Sequence, residues 1–307
     1  MNYLKVEHLT FAYMKKPTLF SDVNFSLDSG VVFVMGEKGS GKTTLLEILC
    51  GLNNMALGNI SVFDKPVREQ SKLISYLPAK PVILENQTVI NNLKFACDAI
   101  GESYDKINEE DEWIKIFGEI KAKKLSSIDR FILSVKRTEI KKSKLIFVDA
   151  SDDFFAEDDY VSVVSKLKQN DRLLMISVSP GMFKKLQNLD KNSEILYINR
   201  SNIENFLNFE EFKNSIKFAG MAEYLNINKT ICNLFFNQNG YYIEVGNRTI
   251  KIAEKYITGI KSYFEVSDKT EILLYGEIDN ISDNEFNKRI LSGKILMFDK
   301  LSGERLI

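Results

Sequence analysis

The feature that most constrains this 307-residue chain is a glycine-rich segment that directly follows an apolar run. The apolar run, Val31 to Met35, is typical of a strand buried on both faces, and Thr43 to Leu49 has helical character. The segment between them fits the pattern G-x-x-x-x-G-K-[ST] and reads Gly36-Glu37-Lys38-Gly39-Ser40-Gly41-Lys42-Thr43. Strand, loop and helix occur in the order that a phosphate-binding loop requires, which disfavours a chance glycine-rich turn.

The loop predicts a site for the phosphates of ATP together with Mg²⁺. Glycines allow backbone N–H groups to turn inward around phosphates, and the positive end of the following helix points at the same anion. Lys42 would reach the β- and γ-phosphates, and the Thr43 hydroxyl would ligate Mg²⁺. The candidate ATP-binding residues of this segment are Gly36, Lys38, Gly39, Ser40, Gly41, Lys42, Thr43 and Thr44.

A second buried strand ends in an acidic residue. Leu145 to Val148 are apolar, and Asp149 follows them directly. Ligands of parallel sheets lie at the carboxyl ends of the strands, where Asp149 could hold Mg²⁺ through water. An ordinary Asp at a strand end is common, so this pattern is weak alone and gains its force from the loop.

The order of elements predicts an α/β fold with a parallel sheet. Lys144 to Val148 and Arg172 to Ser177 are predicted strands, and a helical stretch from Asp158 to Gln169 separates them. Residues 105–142 are predicted to be mainly helical and are heavily charged.

The character of the chain changes after about residue 207, where short strand-like runs and turn signals such as Asn239-Gly240 dominate. We therefore expect a nucleotide-binding domain over residues 1–207 and a small β-rich domain over residues 208–307. The predicted strands of the second domain are Ile231 to Phe236, Tyr241 to Val245, Thr249 to Ile252, Thr270 to Tyr275 and Lys294 to Phe298.

Composition narrows the class of protein. The 41 basic and 42 acidic residues nearly cancel, so we expect no nucleic-acid partner. The apolar runs are too short to span a bilayer, and no signal-peptide pattern is visible. Cys50, Cys97 and Cys232 are few and widely spaced, as expected of reduced thiols in a cytoplasmic protein.

These motifs, in this order, resemble those of the nucleotide-binding subunit of an ABC transporter. Residues 4–11 resemble the opening strand of that family, and residues 45–52 resemble the helix after the loop. Residues 76–78 and 88–93 resemble the segment that faces the membrane subunit. Tyr13 stands where the family places an aromatic residue that stacks on adenine.

The resemblance covers about residues 1–207 and implies a P-loop NTPase core of ABC type. Such a core has a parallel sheet with helices, an antiparallel β subdomain and a helical subdomain. The implied cofactors are ATP and Mg²⁺, and the implied metal-binding residues are Thr43 and Asp149. The implied partners are an ABC permease membrane subunit and a second ATP-binding subunit, in a homodimer or a heterodimer. The implied location is cytoplasmic and peripheral, at the inner face of the cell membrane.

The region after residue 207 resembles, through its strand spacing, the small β-barrel that some ABC importer subunits carry. In those subunits the barrel is regulatory or binds an oxyanion. A structural or dimerising β domain is an equally open interpretation of residues 208–307.

The sequence departs from the family where water and the γ-phosphate are handled. The family's Gln near Mg²⁺ corresponds to Ala79, and its Glu after the strand Asp corresponds to Ala150. Its His after the next strand corresponds to Val178. None of these side chains accepts a proton or donates a hydrogen bond, so we expect no catalytic residue at these positions. The one histidine of the chain, His8, lies upstream of the loop on a predicted strand.

The signature segment of the family, L-S-G-G-Q, corresponds to residues 125–129. In the family its backbone closes over the γ-phosphate bound by the opposing subunit. Ser126 and Ser127 are the signature-like residues, whereas Ile128 is β-branched where close backbone approach favours glycine. The Asp that the family places in the loop after the strand ending at Asp149 corresponds to Ala156.

Three interpretations remain open from the sequence. The first is an ABC transporter subunit that binds Mg-ATP, hydrolyses it poorly, and couples nucleotide-driven dimerisation to a permease. The second is a regulatory or scaffold pseudo-ATPase outside transport, with a structural nucleotide. The third is an active ATPase that uses an unorthodox base such as Asp152 or Asp153.

Overall fold

A computed structural model describes residues 2–107, 110–150, 152, 159–225, 228–237, 240–245, 248–252, 269–276, 278, 281–292 and 294–306. The chain divides into two compact units, residues 1–211 and residues 212–307. Each unit contains its own cluster of buried apolar side chains.

Two sheets form the framework of the first unit. One is antiparallel with the strand order β2-β1-β4-β5, and the other has the order β10-β9-β3-β8-β7-β6. The described strands are β1 (Leu4–Ala12), β2 (Thr18–Leu27), β3 (Gly30–Gly36), β4 (Leu57–Val62), β5 (Lys65–Pro66), β6 (Ile74–Leu77), β7 (Leu145–Asp149), β8 (Leu173–Ser177), β9 (Glu194–Asn199) and β10 (Asn202–Phe206). In the larger sheet the pairs formed by β9, β3, β8, β7 and β6 are parallel, and β10 is antiparallel to β9. The parallel sheet predicted from the sequence is therefore confirmed.

The burial of each strand follows its residue pattern. Val31 to Met35 in β3 are all buried, as expected for a central strand covered on both faces. β1 alternates between buried and partly exposed residues until a register shift between Glu7 and Thr10. His8 lies in this bulge with a φ of 54° and an exposed side chain.

Helices cover the larger sheet and build a separate layer. The described helices of the first unit are α1 (Lys42–Leu49), α2 (Val89–Ile100), α3 (Glu112–Phe117), α4 (Ser127–Lys141), α5 (Asp159–Ser165) and α6 (Pro180–Leu186), and α7 (Phe209–Asn214) contains the point where the two units divide. Buried side chains of α2, α3 and α4, including Leu93, Ile114 and Leu133, form one apolar cluster. The bounds of α3 and α4 confirm the mainly helical character predicted for residues 105–142.

The second unit is a sheet covered by a helix. Its described elements are α8 (Ala219–Ala222), β11 (Lys229–Asn237), β12 (Gly240–Val245), β13 (Arg248–Lys251), β14 (Lys269–Tyr275), α9 (Asp283–Leu291) and β15 (Leu296–Asp299). The antiparallel strand order is β13-β12-β11-β14-β15, and Phe286 and Ile290 of α9 pack into the same core as Ile243 and Ile272. The described strands form one antiparallel sheet, as expected of a small β-rich domain.

Among the described residues, no helix is both long enough and apolar enough to cross a bilayer.

Candidate nucleotide-binding site

The glycine loop joins β3 to α1 at the carboxyl end of the central strand. Gly36, Gly39 and Gly41 have φ values of 147°, 83° and 102°. A Cβ atom at Gly36 would lie 2.6 Å from Oγ of Ser40 and 2.8 Å from the carbonyl oxygen of Ile198. Glycine is therefore required at Gly36 by both conformation and space.

Lys42 is the first residue of α1, and its side chain folds back onto the start of the loop. Its Nζ donates hydrogen bonds to the carbonyl oxygens of Gly36, at 2.8 Å, and Glu37, at 3.0 Å. Burial lowers the pKa of Lys42, and the negative charges of Asp149, Asp152 and Glu37 act in the opposite direction. The loop thus folds around a cationic group placed where a phosphate would meet it.

Thr43 and Asp149 meet beside the loop. Oγ1 of Thr43 donates a 2.8 Å hydrogen bond to Oδ2 of Asp149. Oδ1 of the same carboxylate accepts a hydrogen bond from the hydroxyl of Ser177, the residue opposite Asp149 in the parallel pair β7–β8. Hydroxyl and carboxylate oxygens are the ligands that Mg²⁺ prefers, so this pair fits the metal that a nucleotide carries.

Tyr13 lies next to the start of α1. Its hydroxyl is 2.9 Å from Oγ1 of Thr44, and its ring contacts Phe11 edge to face at a centroid distance of 4.9 Å. The side chain is 44% exposed. Tyr13 therefore lies beside the first turn of the helix that follows the loop.

Two further loop residues differ in burial. Lys38 is exposed at the tip of the loop. The hydroxyl oxygen of Ser40 is buried and has no hydrogen-bond partner within the described part of the chain. A buried hydroxyl without a partner is unfavourable, and a phosphate oxygen is the kind of group that would satisfy it. The loop, the Thr43–Asp149 pair and Ser40 therefore fit ATP with Mg²⁺.

The positions of the family's water-handling residues lie after neighbouring strands of the same sheet. Ala79 follows β6, Ala150 follows β7, and Val178 follows β8. The backbone N–H of Ala150 donates to the carbonyl oxygen of Ser177 at 3.2 Å, and that of Val178 donates to Val34 at 3.0 Å. Val178 is only 1% exposed, so its side chain is part of the core.

One acidic residue after β7 is fixed by a serine after β8. The carboxylate of Asp152 accepts a hydrogen bond from the hydroxyl of Ser179, which also accepts one from the backbone N–H of Met182 at the start of α6. The charge of Asp152 acts on the pKa of Lys42, so this carboxylate belongs to the electrostatic environment of the loop. Asp153 and Ala156 lie outside the described residues.

The signature-like segment forms the start of α4. The hydroxyl of Ser126 accepts a hydrogen bond from the backbone N–H of Asp129 at 3.1 Å and donates one to its carboxylate at 2.6 Å. The same carboxylate accepts a 2.9 Å hydrogen bond from the indole N–H of Trp113. Ser127 is exposed and Ile128 is partly buried. This arrangement is a variant of the capping box with an Asp as its acid.

The sequence interpretation missed the role of Asp129. Its spacing from Ser126 is the signal that could have revealed the capping box. An acid in the first turn already compensates the positive end of a helix, and this reduces the attraction of that end for a second anion.

Comparisons with known sequences show a partial match to one family. Residues 20–151 match the family model described as ABC transporter. The zinc transport system ATP-binding protein TroB of Treponema pallidum is 35% identical over 81 residues, which are 26% of this chain and 30% of that protein. A putative ABC transporter ATP-binding protein of Bacillus cereus is 28% identical over 180 residues, 53% of this chain and 32% of that protein. The chain therefore spans about a third of the length of these relatives.

Comparisons with solved structures concern the fold of the chain. A structure described as the ATP-binding subunit of an ABC transporter has a TM-score of 0.58 at 15% identity, covering 69% of this chain and 92% of that one. A nucleotide-free ATP-binding cassette from an ABC transporter has a TM-score of 0.57 at 20% identity, covering 70% and 94%. The likeness to these structures shows a shared fold.

The fold and the site together define a P-loop nucleotide-binding protein, with the loop at the carboxyl edge of a mainly parallel sheet. The match over residues 20–151 and the relatives make this chain similar to the ABC transporter ATP-binding proteins.

Proposed function

We propose that this chain is the ATP-binding subunit of an ABC transporter that binds Mg-ATP and hydrolyses it slowly or not at all. The observation that carries the proposal is the contrast at the end of β7. Asp149 is held by Thr43 and Ser177, whereas the next residue, Ala150, has no group that could activate water. The chain thus keeps the groups that would bind Mg-ATP and lacks the groups that would activate water.

The roles of the individual residues follow from this contrast. Lys42 and the loop amides hold the phosphates, and Thr43 and Asp149 hold Mg²⁺, which when bound neutralises charge on the phosphate oxygens. The loss of a general base typically slows a reaction by about 10²–10⁴-fold. Several losses in one set of residues do not multiply simply, but they leave little residual rate.

The start of α4 supports the same proposal. If the segment closes over a nucleotide on an opposing subunit, as in the family, Ser126 arrives with its hydroxyl already bonded to Asp129. The carboxylate of Asp129 would then face another anion, which is unfavourable. In a homodimer or a heterodimer, this chain would therefore weaken its partner's nucleotide site as well.

A groove in the first unit supports docking on a permease. The groove has a volume of about 540 Å³ and lies among β6, the end of α1, α2 and α4. Leu52 and Val82 line it with side chains that are 66% and 75% exposed. Its charged lining residues are all basic among those described, namely Lys72, Arg137 and Lys141.

The charges of this groove indicate what its partner carries. The guanidinium of Arg137 donates to the carbonyl oxygen of Val82 at 2.9 Å, and Nζ of Lys141 donates to that of Ile74. Burial lowers the pKa of both cations, since desolvation disfavours the charged form. An amphipathic segment of the membrane subunit with acidic side chains would bury the apolar rim and compensate these charges.

The proposal includes a cellular location and a role for each part of the chain. The subunit works in the cytoplasm at the inner face of the membrane, with nucleotide binding in residues 1–207. Residues 208–307 have a regulatory or dimerising role. A regulatory or scaffold pseudo-ATPase outside transport is the alternative, and it predicts no permease bound at the groove.

A phosphate-release assay combined with calorimetry tests the proposal on the full chain. The wild type is expected to bind Mg-ATP and to release phosphate far more slowly than an active ABC ATPase measured in parallel. The variant Lys42→Ala should bind Mg-ATP much more weakly. A wild-type rate equal to that of the active enzyme, abolished by Lys42→Ala, would refute slow hydrolysis.

An active ATPase is the second candidate, and the Ser179–Asp152 hydrogen bond favours it. A carboxylate fixed near Lys42 is a chemically competent general base. If the wild type turns over rapidly, Asp152→Asn should abolish phosphate release and leave ATP binding intact. If the wild type is slow, Asp152→Asn should change nothing.

A further inference from the structure

Ser177 is a buried hydroxyl at the carboxyl end of β8. Its side chain is 2% exposed, and it lies beside Asp149 in the parallel register of β7 and β8. Its Oγ donates a hydrogen bond to Oδ1 of Asp149. No motif of the nucleotide loop includes this residue, and only the pairing of the two strands brings it to the site.

The two oxygens of Asp149 have different partners. Oδ1 accepts from Ser177, and Oδ2 accepts from Thr43 at 2.8 Å. The torsion that rotates a carboxylate about its last bond is broad and roughly two-fold, so the Asp side chain does not fix the plane by itself. The hydroxyl of Ser177 supplies that restraint from a rigid strand.

We propose that Ser177 is a positioning residue for the Mg²⁺ site. Its hydroxyl holds Oδ1 of Asp149, so that Oδ2 faces Oγ1 of Thr43. Oγ1 of Thr43 is the second side-chain oxygen that would lie at the metal. This inference rests on the proposed binding of Mg-ATP. Groups that orient metal ligands typically contribute about 10–100-fold to metal affinity, although they never touch the metal.

The test measures how nucleotide affinity depends on Mg²⁺. A fluorescent ATP analogue is titrated into the full-length wild type and Ser177→Ala, with EDTA and at increasing Mg²⁺ concentrations. The variant should need about 10–100-fold more Mg²⁺ to reach the same tightening of binding. Its affinity in EDTA should equal that of the wild type, because Lys42 and the loop are unchanged.

Matched variants separate positioning from packing. Ser177→Cys keeps the volume but donates only weakly, so it should behave as Ser177→Ala, whereas Ser177→Thr keeps the hydroxyl and should behave as the wild type. Ser143 is a buried serine that serves as the control, because it precedes the amino end of β7, away from Asp149. It is 1% exposed, and its hydroxyl is 2.7 Å from that of Ser75. Ser143→Ala should lower the melting temperature without changing the Mg²⁺ dependence.

The outcomes are distinguishable. Equal Mg²⁺ dependence of the wild type and Ser177→Ala would overturn the positioning role and leave nucleotide binding intact. A shift of the same size in Ser143→Ala would also overturn it, since general loosening of the sheet would then explain both variants. A folded wild type that binds no nucleotide under any condition would overturn the proposed function and this inference together.

Discussion

Thr43 and Asp149 are 106 positions apart in the sequence, and their side chains share a 2.8 Å hydrogen bond. The strand order explains the contact. β3, which leads into the loop, and β7, which ends at Asp149, are separated in the sheet by β8, and α1 packs against both β7 and β8. Thr43 at the start of α1 therefore reaches across β8, and this places Ser177 at the end of β8 next to the same carboxylate.

Lys42→Ala should weaken Mg-ATP binding strongly. The ammonium group is held by Gly36 and Glu37 at the position where phosphate is expected, and a hydrogen bond to a charged group contributes about 1.5–3 kcal/mol. Calorimetry should therefore show a loss of about 10–100-fold in affinity. The matched control is Lys191→Ala, which removes an exposed lysine before β9 and should bind as the wild type does. Equal affinities for both variants would contradict the role of Lys42.

Tyr13→Ala should weaken ATP binding, and Tyr13→Phe should not. Stacking of an aromatic ring on a nucleobase contributes about 1–3 kcal/mol in single-strand binders, and the phenylalanine ring retains it. The phenylalanine variant loses only the hydrogen bond to Thr44.

Tyr104 provides the control for this comparison. It is 49% exposed, against 44% for Tyr13, and its hydroxyl also makes a 2.9 Å hydrogen bond, to Asp98. Tyr104→Ala should leave the calorimetric affinity unchanged. Identical affinities of the wild type, Tyr13→Ala and Tyr13→Phe would exclude contact between Tyr13 and adenine.

Restoring single family residues should not restore turnover. Ala150→Glu returns the acid next to Asp149, yet Ala79 and Val178 still lack polar groups, and such residues act as a unit. Phosphate release by this variant should stay well below that of an active ABC ATPase. Recovery of a full rate by Ala150→Glu alone would show that one residue accounts for the deficit.

The triple variant Ala79→Gln, Ala150→Glu, Val178→His is expected to recover only part of the rate. Val178 is 1% exposed, and burying an imidazole without a partner costs about 1–3 kcal/mol. Thermal melting of the triple variant should therefore show a lower midpoint than that of the double variant Ala79→Gln, Ala150→Glu. A triple variant as stable as the double variant would mean that the histidine turns out of the core.

Asp129→Ala should destabilise the first unit. The variant keeps the backbone N–H that donates to Ser126 but loses the hydrogen bonds that the carboxylate accepts from the Ser126 hydroxyl and the indole N–H of Trp113, which together amount to about 1–2 kcal/mol. Urea unfolding measures this loss. Ser127→Ala, at the exposed neighbouring position, should have little effect, and a comparable loss there would argue against the capping box.

The variant Asp111→Asn should lose less stability in acid than the wild type does. Burial acts to raise the pKa of Asp111, but hydrogen bonds from Lys136, at 2.7 Å, and from the backbone of Ile114 outweigh it and lower the pKa below 3.8. A lowered folded pKa gives stability that is present above about pH 4 and is lost as the pH falls through the folded value.

Urea unfolding from pH 6 down to pH 2 checks this sign. The stability of the wild type should fall more steeply below about pH 4 than that of Asp111→Asn. Glu112→Gln removes an exposed carboxylate from the same turn and serves as the control. Parallel curves for the wild type and Asp111→Asn would contradict the assignment.

Much of the fold could be predicted from the sequence because its signals are local. The loop, the strand before it and the apolar run ending at Asp149 are contiguous patterns, and they predicted the parallel sheet. The helix α9 was missed, although Ser282 and Glu285 have the spacing of a capping box, and the backbone N–H of Glu285 does donate to Ser282. The sequence predicted only the strand-like runs on either side of α9.

The sequence alone determined which chemical groups the site has and lacks, since Ala150 is fixed by its adjacency to Asp149 and the glycine loop is a continuous motif. Only the tertiary structure decided which distant side chains meet that site. Ser177 reaches Asp149 because β7 and β8 pair in parallel, and Trp113 reaches Asp129 because α3 and α4 share one apolar cluster. Such contacts depend on strand order and helix packing, which no local pattern encodes, because the free energy that fixes them comes from burial shared by the whole unit.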